Sequence, residues 1–338
     1  GVVGDTTLGE EALLELGELG ADLFERRLAL LLVAVEAGGG VGGPLPQVDR
    51  AGRDAQVVLD HCAIMSAMSS AETPLPHVAP HVVLVHGAWH GAWCWRDGFA
   101  QRLEAAGLQV TTPDLPGHGS LLDAPRLRSL RHGPRLRDYV DSVVEVLRGL
   151  PAGGPPPVVV GHSMGGGVVQ HLVGRLDRPA LSGAVLLASM PPAGVWRVTL
   201  DTARQRTGTF LAANVRRDLG MLVVEPEHVR RMFLSADTDD AVVAGVQSRL
   251  HGESFRAFLD MLALDRPRPA SGRGPRATEV RVLGAADDTI FRVADVEATA
   301  AAWGTEAVIV PGIGHDVMLD HGWERVADQV ITWVREMA

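Results

Sequence analysis

The chain has 338 residues, long enough for one large α/β domain or two small ones, and its 46% hydrophobic and 21% charged residues are a composition that builds a core rather than staying disordered. No apolar run reaches the roughly 18 residues that a membrane-spanning helix needs, and a net charge of -10 opposes nucleic acid as a partner, because phosphate binding wants a basic surface. All 31 basic residues are arginine, which excludes Schiff-base, P-loop and other lysine chemistry, while the two cysteines, Cys62 and Cys94, are too few for a disulfide framework or a four-thiolate zinc site and point to a reducing, cytoplasmic compartment.

Residues 1–76 read as an N-terminal extension. An acidic, leucine-rich stretch over 13–32 has helix-forming composition but no strand to pair with, and a small, polar run over 65–71 precedes the regular part of the chain. Deletion of residues 1–64 is expected to leave the activity in place. From residue 81 onward, short runs of Val, Leu and Ile alternate with helical stretches, the signature of a parallel sheet with crossover helices. The pattern predicts strands at 81–85, 108–112, 157–161, 184–188, 279–283 and 307–310. Helices are predicted at 95–106, 136–150, 164–176, 293–303 and 323–336. Residues 191–276 break the alternation and read as mostly helical.

Gly161-His162-Ser163-Met164-Gly165 lies between a β-branched strand and a helix. A G-x-S-x-G sequence in that context makes a tight turn. The flanking glycines remove Cβ clashes, and the serine hydroxyl projects from the carboxyl end of the sheet at the positive end of the next helix. A serine nucleophile needs a base and an orienting acid. His315, directly after the last strand in Gly312-Ile313-Gly314-His315, is the candidate base. Asp287, just after the preceding strand in Gly284-Ala285-Ala286-Asp287-Asp288, is the candidate acid, with Asp288 as the alternative. The order Ser, Asp, His along the chain fits this strand arrangement. The sequence His86-Gly87-Ala88-Trp89 follows the first strand, and the backbone N–H groups of Ala88 and Met164 are the expected oxyanion donors.

Together these motifs resemble the α/β-hydrolases over about residues 81–337. His86-Gly87-Ala88-Trp89-His90-Gly91-Ala92-Trp93 is similar to the opening motif of the branch that holds plant methylesterases and hydroxynitrile lyases. Pro113-Asp114-Leu115-Pro116-Gly117-His118-Gly119 resembles a loop many members carry, and His315 with Met318 also fits the branch. The resemblance implies an α/β fold with a roughly six-stranded, mostly parallel sheet from 77–190 and 277–338, and a helical cap over 191–276. The lyases of this branch add an active-site lysine, which this chain lacks, so ester hydrolysis is the expected activity. A lysophospholipase or monoacylglycerol lipase, a thioesterase, a C–C bond hydrolase and a non-catalytic receptor are the alternatives.

The expected partner is a small-molecule ester, with no cofactor and no metal. Trp89 and Trp196 are the candidate substrate contacts, although Trp89, Trp93 and Trp95 are equally suited to packing. In the helical segment Trp196, Phe210, Phe233, Phe255, Phe258 and Met261 suit helix packing better than substrate contact, His86 reads as a strand-end hydrogen bonder, and Asp114 and His118 as groups that fix their loop.

Overall fold

The computed structural model describes residues 79–269 and 278–338, so the expectation for residues 1–76 lies outside it. Six strands form one sheet: β1 (His81–Val85), β2 (Gln109–Thr111), β3 (Val158–His162), β4 (Gly183–Leu187), β5 (Glu279–Ala285) and β6 (Ala307–Val310). Their order across the sheet is β2-β1-β3-β4-β5-β6, and every neighbouring pair is parallel. All carboxyl ends therefore share one edge. The chain leaves β1 toward one side for β2 and returns on the other side for β3, which creates a topological switch point between β1 and β3.

The strands are apolar on both faces because helices cover both. Val83, Val85, Val159, Leu186 and Val282 point to one face. There they meet α2 (Leu136–Arg148), α3 (Met164–Gly174) and α9 (Val293–Trp303). Val82, Leu84, Val160, Val185 and Leu283 point to the other, against α1 (Phe99–Ala105) and α10 (Trp323–Met337). Each buried Val or Leu contributes on the order of 1.5–3 kcal/mol, and the period-two alternation fixes which face it serves.

The predicted strands agree with the structure to within two residues at each end. The helix expected over 95–106 is split: Trp93–Arg96 forms one turn, and α1 begins at Phe99, after Gly98, which lies against the Trp323 ring. Between β4 and β5 the described residues contain no strand. The helices there are α4 (Trp196–Gln205), α5 (Thr207–Arg216), α6 (Pro226–Phe233), α7 (Asp240–Gln247) and α8 (Phe255–Leu259), which runs into a π-helical turn at Asp260–Leu264. This insertion carries its own small clusters, one built on Val229, Phe233, Val243 and Val246 and one on Ala213, Leu219, Leu222 and Phe255.

Candidate active site

Ser163 occupies the turn from β3 into α3 with φ 53 and ψ -117, a left-handed conformation that side-chain-bearing residues rarely adopt. The turn is held from both sides. The Ser163 carbonyl accepts hydrogen bonds from the backbone N–H of Gly167 (3.2 Å) and Met190 (3.0 Å), and its own N–H donates to Leu187 (3.1 Å). A Cβ at Gly165 would come within 2.4 Å of the Val85 carbonyl oxygen, so the turn closes only with glycine there. At Gly87, a Cβ would lie 3.0 Å from that of Ser163, which shows how closely the loop after β1 approaches the serine.

The Ser163 hydroxyl lies 2.9 Å from Nε2 of His315, and Nδ1 of His315 lies 2.7 Å from Oδ2 of Asp288. With the ring proton on Nδ1, the imidazole donates to the carboxylate and accepts from the serine. The carboxylate that meets His315 is thus Asp288, not the expected Asp287. Asp287 is exposed, and its N–H donates to the Ile313 carbonyl. The turn after β5 carries the chain one residue further before a side chain faces inward. Asp288 is buried, and its second oxygen accepts from the N–H groups of Ile290 (2.7 Å) and Phe291 (3.0 Å), which fixes its orientation.

Burial alone would depress the basicity of His315, but the charge and hydrogen bond of Asp288, with a further contribution from Asp316, raise its pKa above 6.5. The Asp316 carboxylate is fully buried. Burial pushes its pKa up, but His90, hydrogen-bonded at 3.0 Å, together with His162 and His315, holds it below the usual value. His162 donates from Nε2 to the His315 carbonyl (2.9 Å) and is kept neutral by burial, its pKa lowered to about 3. His162, His315 and Asp316 bring potential ligand atoms within 4.8 Å of one another, yet both ring nitrogens of His315 already engage Asp288 and Ser163, so a metal there would have to displace one of them.

The supporting loops behave as the sequence predicts. His86 accepts from the Leu115 N–H (3.1 Å) at the end of β1. Asp114 accepts from the N–H of Ala92 (2.6 Å) and from Ser120, bridging the loops after β1 and β2. His118 pairs with the buried Glu253 of the insertion at 2.9 Å, and Tyr139 donates to the same carboxylate at 2.8 Å.

Beside Ser163 lies a cavity with an almost wholly apolar lining. Ala88 and Met164, the expected oxyanion donors, line it, as does Trp89. Trp196 does not. It is 50% exposed, on the outer side of α4. The helix phase explains this: Val195, Val198, Thr199 and Thr202 recur at three- and four-residue spacing and face the cavity, which turns Trp196 away from it. Trp93 stacks on His90 and Arg249, and Trp95 packs on Phe99, so neither lines the cavity. Phe210, Phe258 and Met261 do line it, although the sequence reads them as packing residues. The helical phase of residues 195–202 was the signal that could have separated wall from surface.

A parallel sheet with a strained serine turn after β3, and with histidine and carboxylate on the loops after β6 and β5, defines an α/β-hydrolase architecture. The sequence profile of the Alpha/beta hydrolase family matches residues 82–329, and the chain belongs to that family. It is similar to Methylesterase 7 of Arabidopsis thaliana, 44% identical over 110 residues that cover 32% of this chain and 40% of the relative. It is also similar to Putative methylesterase 12, chloroplastic, from the same plant, 34% identical over 201 residues, 56% of this chain and 55% of the relative. The matches thus span about half the length of these curated relatives. Among solved structures, an extracellular alpha/beta-hydrolase from a Paenibacillus species superposes with a TM-score of 0.57 at 18% identity, over 75% of this chain and 98% of that one. That hydrolase is described as sharing structural and functional homology with Tobacco Salicylic Acid Binding Protein 2.

Proposed function

We propose that this chain is a serine carboxylic-ester hydrolase that works through an acyl-enzyme. The observation that carries the reading is the chain of contacts from Ser163 through His315 to Asp288, at 2.9 Å and 2.7 Å. The names of its relatives, methylesterases, support the same chemistry. In this reading His315 takes the Ser163 proton as the oxygen attacks the ester carbonyl. The Ala88 and Met164 amides hold the oxyanion, and Asp288 steadies the imidazolium. The alcohol leaves with the proton from His315. Water, deprotonated by the same histidine, then releases the acid and restores the serine. The helices between β4 and β5 serve as the cap.

A receptor reading is disfavoured because a binding-only fold has no need of a strained serine aligned with a base. Cyanohydrin cleavage is disfavoured because the sequence contains no lysine. No helix among the described residues is long and apolar enough to cross a membrane. A small ester as partner and a cytoplasmic setting belong to this proposal, although one relative is named as chloroplastic.

The test is Ser163→Ala with p-nitrophenyl butyrate as substrate and a fluorophosphonate probe as control. Turnover should fall by about 10⁴-fold or more and labelling should vanish. Parent-level turnover in a pure preparation would overturn the reading.

A further inference from the structure

The cavity beside Ser163 is lined by seventeen residues, and none of them carries an ionisable side chain. The side-chain polar hydrogens on its wall, other than that of Ser163, belong to Thr199, Thr202 and the indole of Trp89, while the backbone amides of Ala88 and Met164 are reserved for the ester carbonyl in the reading above. Each of these side-chain hydrogens is already spent. The Thr199 hydroxyl donates to the Val195 carbonyl (2.8 Å) and the Thr202 hydroxyl to the Val198 carbonyl (2.8 Å), both one turn back on α4. The indole N–H of Trp89 donates to the Leu219 carbonyl (3.1 Å). A ligand carboxylate buried here would find no side-chain donor beyond the serine itself, and a ligand ammonium would find no carboxylate. Either would give up its water without replacement. Four methionines, Met164, Met190, Met232 and Met261, supply much of the remaining wall. Their unbranched side chains adjust to irregular apolar shapes.

We infer that the limb of the ester held in this cavity is an uncharged hydrocarbon chain or ring, and that the wall rejects esters whose limb carries a charge of either sign. The inference rests on the esterase reading above and narrows it to a substrate class. The wall selects by withholding partners, so it tolerates changes of hydrocarbon shape while penalising charge. This differs from a pocket that recognises one substrate through placed donors, where removing a polar group from the ligand is what costs affinity.

The experiment uses the full chain and three p-nitrophenyl esters built on one six-carbon acyl chain: the hexanoate, the adipate monoester and the 6-ammoniohexanoate. Runs at 0.5 M salt screen the field of the -10 net charge. The expected result is that kcat/KM for both charged esters falls at least 100-fold below the hexanoate. Rejection of both signs separates wall chemistry from repulsion by the net charge, which would reject the anion alone. A ratio under tenfold for either charged ester overturns the inference.

Met232→Arg places a guanidinium at the wall and should improve the adipate relative to the hexanoate by at least tenfold. An unchanged ratio in a protein that still takes the fluorophosphonate label also overturns it. If that variant does not fold, the three-ester comparison on the parent protein decides alone. Acetate turnover and Ser163 labelling are recorded alongside. If both are absent, the esterase reading fails and takes this inference with it. If both are present and the three longer esters react alike, only the inference fails.

Discussion

The loops at the carboxyl ends of the strands and the helices inserted between β4 and β5 form opposite walls of one cavity, and they are built differently. Among the described residues, four non-glycine positions have positive φ. Three of these, Trp89, Ser163 and Ala188, lie on the loops after β1, β3 and β4. The fourth, Arg217, ends α5 in a left-handed cap, an ordinary way for a helix to stop. Strain of about 1–3 kcal/mol per residue persists only where the surroundings over-determine the backbone. Around Ser163 and Asp288 they do so with paired backbone amides. The insertion has short helices, an apolar inner wall rich in methionine, and few polar groups turned inward. In the proposed reading the rigid side holds the reacting atoms, and the adaptable side sets what can reach them.

The strongest break in this contrast is at the acid. Asp288→Asn keeps the shape but removes the charge that orients His315, and ester turnover should fall by about 10³- to 10⁴-fold. Asp287→Asn, one residue away on an exposed turn, should leave kcat within about twofold, as is usual for surface positions. Steady-state rates of the two variants, measured side by side, check the assignment. Equal losses would show that the acid is not uniquely Asp288.

How far the sequence could reach follows the same divide. The rigid side was legible because strands of Val and Leu, a glycine-flanked serine and a histidine after the last strand each leave a local signature. Asp287 and Asp288 could not be separated from sequence. Both sit in the same turn, and the choice depends on how many residues the chain spends leaving β5. The insertion was legible as helical, but that Trp196 sits on the surface and that Phe258, which packs as expected, also lines the cavity was not, because facing is set by how the helices lie on the sheet. A bulky aromatic is as suited to a wall as to a surface until that packing is known.

A buried ion pair tethers the two sides. Glu253, in the insertion and fully buried, accepts from His118 on the loop after β2 and from Tyr139 on α2. Burial lowers the pKa of His118, but Glu253 outweighs it and raises the net value above 6.5. Burial raises that of Glu253, but His118 outweighs it and lowers the net value below 4.5. Glu253→Gln removes one partner of this buried pair and should cost about 3 kcal/mol in denaturant unfolding. The pH dependence has a definite sign. The His118 contribution is fully present below pH 6.5 and fades as pH rises through its raised folded-state value. The Glu253 contribution is present above pH 4.5 and fades as pH falls through its lowered value. The gap between parent and variant should therefore be widest between those limits and narrow toward alkaline pH. A pH-independent gap would mean that the pair contributes through packing alone.

The smallest effect sharpens what the rigid side does beyond holding shape. His315 is faced by Asp288, by Asp316 and by His162, and packed by the rings of Phe233 and Phe291. Only neutral His315 can accept the serine proton, so kcat/KM should rise with pH through a raised histidine value. Of the two carboxylates, Asp288 touches the ring, whereas Asp316 points away to His90 and acts on His315 through its charge. Asp316→Asn keeps an acceptor for His90 but deletes that charge. The imidazolium loses stabilisation, the His315 pKa falls, and the acid limb of the kcat/KM profile moves to lower pH. On the alkaline plateau, where the base is already neutral, the rate should stay within about tenfold of the parent, since no contact to the ring is lost. A purely structural role for Asp316 predicts the reverse pattern, a lowered plateau with the limb unmoved, and the pH profile of the one variant distinguishes the two.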